Sequence, residues 1–373
     1  MKTRLKNLSR RIRNKLETTR DRTGIQTVAV CAAQVPFFHG GAEAHVQALI
    51  EHLRVRGYEV ELINLPYKWY PHDQLLKSIE IWKMLDLSES NGKKIDLVIA
   101  TKFPSYFVNH PRKVLWLIHQ YRQMYDLLDS PYSGFDLNKR KDKELRDNLV
   151  AWDTEALASF PRRFSNSQNT AARLKKYNDL DAVPLYHPPR LVGRYQNLGY
   201  EDTILSVGRL DKLKRIDLLL KALPYIDTRI RCKIAGSGPE GGALQALAQD
   251  LGIADRVDFL GYVPDDDLLQ LYGLCSAVFF APQDEDFGYI TLEAYLSQKP
   301  VITGFDSGGP LEFVVHGKNG IVFENFEPKM MAQEIVDLVL DKARCEAFGR
   351  AGFEGVSHIG WDPVIQALIG ENS

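Results

Sequence analysis

Ala277-Val278-Phe279-Phe280-Ala281-Pro282, followed by Glu285-Asp286-Phe287-Gly288-Tyr289-Ile290-Thr291-Leu292-Glu293, is the stretch on which the reading of this chain turns. Its first part is a continuous apolar run of strand length, the pattern of a parallel strand buried on both faces. Its second part passes through Phe287-Gly288 into a helical pattern that continues through Ala294, Tyr295 and Leu296. Glu285 therefore falls in a strand-to-helix loop, and Glu293 about two turns further on, inside the helix. In an open α/β sheet such loops face the ligand crevice at the carboxyl ends of the strands. The helix start offers free backbone N–H groups to a polar ligand. Two carboxylates near a helix start are also favoured by the helix dipole alone, so their spacing by itself assigns no function.

Outward from this stretch, strand-like runs alternate with helical patterns in two blocks. The first holds residues 27–31, 59–65, 96–101, 114–118, 162–165 and 182–186. The second holds 203–207, 231–235, 257–260, 277–281, 300–303 and 320–323. Strands alternating with helices predict parallel βαβ units, here two Rossmann-like, doubly wound α/β domains. A chain of 373 residues suits two such cores. The expected division is a basic arm over 1–24, a first domain over 25–190 and a second over 200–358, joined by the Pro/Gly-containing stretch 187–199. A last helical segment, 360–373, is expected to return to the first domain.

Charged residues make up 25% of the chain and hydrophobic residues 45%, the balance of an ordinary globular protein. A net charge of -1 argues against bulk nucleic-acid binding. The four cysteines, Cys31, Cys232, Cys275 and Cys345, are far apart and read as small buried hydrophobes, which fits a cytoplasmic setting. No apolar run reaches the ~20 residues of a spanning helix, and the N-terminus lacks a signal-peptide apolar region. Residues 1–22 carry nine Lys/Arg against Glu17 and Asp21, with Leu5, Leu8, Ile12 and Leu16 at roughly helical spacing. That pattern predicts peripheral contact with an anionic membrane; a solvated tail is the competing reading.

Four further loops carry candidate chemistry. Gly208-Arg209-Leu210-Asp211-Lys212-Leu213-Lys214-Arg215 follows the strand 203–207 and can present Arg209 and Lys214 to one diphosphate, a planar fork beside a compact charge. Ala235-Gly236-Ser237-Gly238-Pro239-Glu240-Gly241 satisfies G-x-G-x-x-G. No acidic residue ends the next strand, where the ribose carboxylate of an NAD site would sit, so Gly236 and Gly238 read as a tight turn near a nucleotide. Gly40 and Gly41, in Phe38-His39-Gly40-Gly41-Ala42-Glu43, let a backbone approach a ligand at a helix start. His119 ends the apolar strand 114–118, and Arg122 and Tyr125 beyond it are expected to line an acceptor pocket. Asp265-Asp266-Asp267 reads as the cap of a helix, and no dedicated metal site is expected.

In their order and spacing, from about residue 27 to 323, these motifs resemble the retaining glycosyltransferases of family 4, the "group 1" transferases. The resemblance implies the GT-B architecture, two Rossmann-like domains facing a central cleft. It also implies transfer of a hexose from a UDP- or GDP-sugar to an acceptor hydroxyl with the anomeric configuration retained. Glu285 and Glu293 match the family's E-x7-E motif. By that match Arg209 and Lys214 bind the donor diphosphate, Glu293 the ribose hydroxyls, and Glu285 with the Phe287-Gly288 backbone the sugar. Gly40, Gly41, Gly208, Gly236 and Gly238 line the donor, and His119 contacts its sugar. Arg209, Lys214, Glu285 and His119 are thus the implied catalytic set. No cofactor is implied, and a metal is dispensable if the two cations neutralise the leaving group. The implied acceptor is a saccharide or lipid-linked saccharide in bacterial surface polysaccharide or lipopolysaccharide synthesis, met at the inner membrane face. Arg215 stands where the family often has Gly or Asn, Asp286 where Gly is common, and Tyr186-His187-Pro188-Pro189 where many members have Asn-Gly-Val-Asp. Ser307-Gly308-Gly309-Pro310-Leu311-Glu312 resembles the family's Gly-Gly-x-x-Glu turn, with a structural role. A nucleotide-sugar 2-epimerase of the same fold and a non-catalytic sugar-nucleotide-binding protein are the alternatives.

Overall fold

Parallel neighbours cannot be joined by a hairpin, so each strand here is followed by a crossover before the next. The computed structural model describes residues 24–37 and 40–370; the basic arm over 1–22 and His39 lie outside the described residues. The chain divides between His187 and Pro188, and again between Ile359 and Gly360, into two compact units. Each is built on a six-stranded parallel sheet.

In the first unit the strands are β1 (Thr27–Gln34), β2 (Glu59–Pro66), β3 (Leu97–Lys102), β4 (Lys113–His119), β5 (Arg163–Ser165) and β6 (Val183–Pro184), in the order β2-β1-β3-β4-β5-β6. The helices α1 (Gly41–Val55), α2 (Asp73–Met84), α3 (Arg140–Ala158) and α4 (Gln168–Asn178) cross between them. Successive side chains on a strand face opposite ways, and both faces of the central strands are buried. Cys31, Ala100 and Leu115 pack with Leu75, Trp82 and Leu149 of α2 and α3. Val30, Ile99 and Trp116 pack with Leu49 and Leu53 of α1.

The terminal helix Trp361–Ile369 shares this second cluster through Val364, Ile365 and Leu368. Arg162 donates to the carbonyls of Ala367 (3.0 Å) and Leu368 (3.1 Å), meeting the negative end of that helix. Trp361 brings its ring to a buried aromatic group. His45 lies 4.0 Å from Trp116 and 4.2 Å from His187, and Trp361 lies 5.7 Å from His187. Burial pushes the His187 imidazole down to about 3. Burial, then the charges of His187 and Lys102, lowers His45 as well.

These shifts set an acid sensitivity. Unfolded, each ring takes a proton near pH ~6.5, whereas the folded protein refuses it. Stability is therefore intact above about pH 6.5 and falls as pH drops toward 3, by up to ~1.4 kcal/mol per pH unit for each histidine. Asp153, raised to about 6 by burial, acts in the opposite sense. His187→Phe leaves that contribution untouched and is expected to flatten the acid slope by about one proton. Urea midpoints between about pH 7 and pH 4 measure it; an unchanged slope would show that His187 is not the group held neutral.

The second unit holds β7 (Thr203–Val207), β8 (Arg231–Ala235), β9 (Val257–Gly261), β10 (Ala277–Phe279), β11 (Val301–Gly304) and β12 (Gly320–Phe323), in the order β9-β8-β7-β10-β11-β12. Its helices are α5 (Ile216–Ala222), α6 (Gly241–Asp250), α7 (Asp265–Leu274), α8 (Tyr289–Leu296), α9 (Pro328–Val339) and α10 (Lys342–Val356). The apolar runs of this unit became its strands, with one shortening; in the first unit 182–186 is reduced to Val183–Pro184 and 162–165 to Arg163–Ser165. β10 stops at Phe279 rather than 281 because the carbonyls of Ala281 and Pro282 accept from Arg215 instead of from a neighbouring strand. A two-residue antiparallel pairing of Glu89–Ser90 with Lys93–Lys94 lies outside any periodic pattern in the sequence. No described helix is long and apolar enough to cross a membrane.

Candidate functional site

Where strand order reverses in a doubly wound sheet, the loops at the carboxyl ends splay apart and leave a crevice. In the second unit this point lies between β7 and β10, and in the first between β1 and β3. At each a lysine is joined to a glutamate. Lys214, beyond β7, pairs with Glu285, beyond β10. Lys102, at the end of β3, pairs with Glu43, in the first turn of α1, at 2.6 Å.

The loop after β7 is shaped by backbone contacts. Gly208 N–H donates to the Ala235 carbonyl (2.9 Å), Leu210 N–H to Ser237 (3.1 Å), and Glu240 N–H back to Leu210 (3.0 Å). A Cβ at Gly236 would sit 1.9 Å from the Gly208 oxygen, and one at Gly238 would sit 2.3 Å from the Leu210 oxygen. The first two glycines of the G-x-G-x-x-G match are therefore required by the close approach of two loop backbones, whereas a Cβ at Gly241 would meet only the Leu210 side chain at 3.6 Å. The Asp211 carboxylate accepts from Lys214 N–H (3.2 Å), closing the turn Lys212–Lys214. Gln283 N–H donates to the Leu213 carbonyl (2.8 Å), tying the loop after β10 to the loop after β7. The Lys214 ammonium lies 5.5 Å from the centre of the Phe280 ring, and Arg209 is exposed on the same loop.

Arg215 holds a third loop to these two. Its guanidinium donates to the carbonyls of Ala281 and Pro282 (both 2.8 Å) and bidentately to Asp306 (2.8 and 2.6 Å), and it lies 4.5 Å from the centre of the Phe326 ring. The Asp306 loop in turn accepts Asp284 N–H (2.9 Å) and Glu285 N–H at Ser307 (3.0 Å). Arg215 has φ +51, a left-handed conformation costing an ordinary residue roughly 1 kcal/mol, which explains why Gly or Asn suits this position. The fork geometry offsets that cost here. Arg215→Gly is expected to keep the fold, because the backbone relaxes, but to slow turnover by about 100-fold as Lys214 and Glu285 lose register. Arg215→Lys should not restore the rate, since an ammonium cannot span both partners. Steady-state rates with unfolding midpoints check both; full activity of the Gly variant would remove the clamp from the site.

In the loop after β10, Phe287 is buried and Gly288, at φ +83, leads into α8. A Cβ at Gly309 would strike the Phe287 carbonyl at 2.6 Å, so the 307–312 turn supports this loop from below. Glu293, within α8, is partly buried and takes different partners. Tyr272 donates to its carboxylate at 2.7 Å, and the Tyr195 hydroxyl acts on the same group, lowering its pKa. Burial raises the Glu293 carboxyl, against the lowering effect of both tyrosines and of Arg190. Asp265 and Asp266 make ion pairs with Arg190 and Arg194; neither caps α7, whose N-cap is Pro264 with no side-chain bond.

In the first unit, Gly40 N–H donates to Glu43 (2.9 Å). His119 lies opposite Lys102 in the strand register, its Nδ1 3.2 Å from the Gln120 carbonyl. Burial pushes the Glu43 carboxyl up, but Lys102 and the backbone N–H bonds outweigh it and hold it below the usual value. Tyr125 is buried and donates to Asp153 at 2.7 Å. Arg122 is bonded to Asp126 at 2.8 Å. Lys102, Asp306, Tyr195 and Tyr272 were not evident as site residues. Lys102 had a usable signal, a charge closing an apolar strand; the other three acquire roles only through distant partners.

Residues 195–355 match the family model described as "Glycosyl transferases group 1". This region is a group 1 glycosyltransferase domain. The chain is 36% identical over 187 residues to a GDP-mannose-dependent alpha-(1-6)-phosphatidylinositol monomannoside mannosyltransferase of Mycobacterium tuberculosis, covering 47% of this chain and 48% of that protein. It is 26% identical over 236 residues to a D-inositol 3-phosphate glycosyltransferase of Segniliparus rotundus, covering 58% and 52%. The match thus spans about half the length of these curated relatives. Among solved structures, sucrose-phosphate synthase from Thermosynechococcus elongatus aligns with a TM-score of 0.73 at 18% identity, over 91% of this chain and 96% of that one. WaaG, a glycosyltransferase involved in lipopolysaccharide biosynthesis, aligns at 0.66 and 15% identity, over 92% and 100%. At such identities the likeness shows the fold: two parallel-sheet units with GT-B neighbours around the group 1 domain.

Proposed function

We propose that this chain is a retaining glycosyltransferase of family 4 that moves a hexose from a nucleotide-diphosphate sugar to an acceptor hydroxyl. The observation that carries the reading is the Lys214–Glu285 pair, joined across the β7/β10 switch point beside exposed Arg209. An ammonium has three donors, so Lys214 can keep Glu285 and still hold a diphosphate oxygen. Arg209 adds a planar fork for the same group. Positive charge fixed where the leaving diphosphate gains charge lowers the barrier most. Glu285 and the Phe287-Gly288 backbone then hold the sugar hydroxyls, and Glu293 the ribose.

No carboxylate is assigned as a nucleophile, which favours substitution on one face. The bond from C1 to the diphosphate oxygen breaks as the acceptor oxygen bonds C1 on the same side. The acceptor proton passes to the departing phosphate oxygen. Charge neutralisation by Arg209 and Lys214 requires no dedicated metal. Similar proteins include a GDP-mannose-dependent transferase and one solved in complex with UDP and glucose, which supports a GDP- or UDP-sugar as donor. The WaaG likeness supports a role in surface polysaccharide or lipopolysaccharide synthesis, with a saccharide or lipid-linked saccharide as acceptor.

A ligand that binds only the folded state raises the unfolding temperature by mass action. UDP, GDP, CDP, ADP and NAD, each at about 1 mM, are therefore compared in a thermal-shift panel. Stabilisation by one nucleoside diphosphate is the expected result and names the base. Stabilisation by NAD alone would reinstate an oxidoreductase reading of the Gly236–Gly241 turn. Release of free or C2-inverted sugar without acceptor would instead identify an epimerase.

A further inference from the structure

Glu293 interacts with two tyrosines from different parts of the second unit, bonding Tyr272 and lying within the influence of Tyr195. Tyr272 lies on α7, whereas Tyr195 lies in the irregular segment that opens the unit after His187. Both rings are buried and meet edge to face at 6.0 Å, so packing aims both hydroxyls. The segment is tied down beside them. Arg190 makes a bidentate bond to Asp265 (2.8 and 2.5 Å), Arg194 pairs with Asp266, and Leu198 N–H donates to the Gly273 carbonyl (2.8 Å). α7, α8 and the segment therefore converge on one carboxylate. A carboxylate has about four acceptor positions; two tyrosines leave two, the number a ribose diol requires.

We propose that Glu293 serves two partners at once, the donor ribose and the chain segment 188–199, with Tyr195 as the positioning residue that links them. The inference rests on the donor reading above. Hydrogen bonds that share one acceptor group in a low-dielectric site depend on one another's geometry. A nucleotide that binds the tethered arrangement better than the untethered one must stabilise the tether by the same differential affinity. Occupancy of the ribose site thus stiffens the segment, and loss of the Tyr195 hydroxyl weakens nucleotide binding without touching the diphosphate cations.

The acidity of Glu293 supplies a readout that packing alone would not move. The charged and titratable groups around it are Tyr195, Tyr272, Arg190, Asp265 and, on its own helix, Tyr289. Burial raises the carboxyl and the tyrosine hydrogen bonds lower it. Without the Tyr195 bond it rises further, so the acid limb of nucleotide affinity shifts to higher pH.

The test uses the full chain with UDP and GDP as probes, comparing wild type with Tyr195→Phe and Glu293→Gln. Calorimetry gives Kd against pH, and hydrogen exchange follows peptides covering 188–199 and 208–215. In wild type, the bound nucleotide is expected to slow exchange in both regions. Tyr195→Phe should bind about tenfold more weakly, keep protection of 208–215, lose that of 188–199, and show the raised acid limb. Glu293→Gln should lose the acid limb altogether. Equal protection of 188–199 in wild type and Tyr195→Phe, or an unmoved acid limb, overturns the inference alone. A wild-type protein that binds neither nucleotide overturns the donor reading and the inference with it.

Discussion

Lys214→Ala is expected to lower the rate of transfer by roughly three orders of magnitude, the loss typical when a group facing developing negative charge is removed. The fold should survive. The Lys214–Glu285 pair is partly exposed, with side chains 21% and 26% accessible, so its loss costs about 1 kcal/mol or less. The loop itself is held by the Asp211 cap, the Gln283 bond and Arg215 rather than by the Lys214 ammonium. Single-turnover consumption of donor, measured beside the unfolding midpoint, separates the two effects. Lys214→Arg should recover only part of the rate, because a guanidinium is wider and planar. A Lys214→Ala protein with near-normal turnover would remove this residue from the leaving-group role.

Gly236→Ala is expected to be among the most damaging single methyl groups in the second unit. The backbone there has φ +135, and the added Cβ would lie 1.9 Å from the Gly208 carbonyl oxygen. Strain of this kind costs about 1–3 kcal/mol before the clash is counted. No flexible side chain can move aside, because both partners are backbone joined by the Gly208–Ala235 bond. The unfolding midpoint should fall by about 10 °C. Nucleotide binding should be lost as the Arg209–Lys214 loop is pushed out of place. Gly242→Ala is the control: its Cβ meets nothing within 4 Å, and alanine gains ~1 kcal/mol in a helix. If both variants melt alike, close approach of the loops is not what demands glycine at 236.

The alternation of buried runs with helical patterns carried the architecture. Runs such as 203–207 and 320–323 became strands with the same limits, since a strand covered on both faces leaves an unbroken apolar signal. The order of motifs placed Arg209, Lys214, Glu285 and Glu293 on loops and a helix beyond strand ends, where a ligand can reach them. Local spacing cannot say which charges meet. Lys214 and Glu285 are 71 residues apart, and Arg215 and Asp306 are 91 apart; only the strand order brings each pair together. The position of Arg215 read as a departure from a family pattern, and the fold turned it into a clamp on three loops. Glu293 read as an acid free for a ligand, and the fold surrounded it with Tyr272 and Tyr195, from a helix and a segment with no periodic signal of their own. The sequence by itself determined where the main parallel strands run, though not every strand limit, and what chemistry the loops beyond them can offer. Tertiary structure alone decided the pairing, because hydrogen bonds and ion pairs form between neighbours in space, and strand order sets those neighbours.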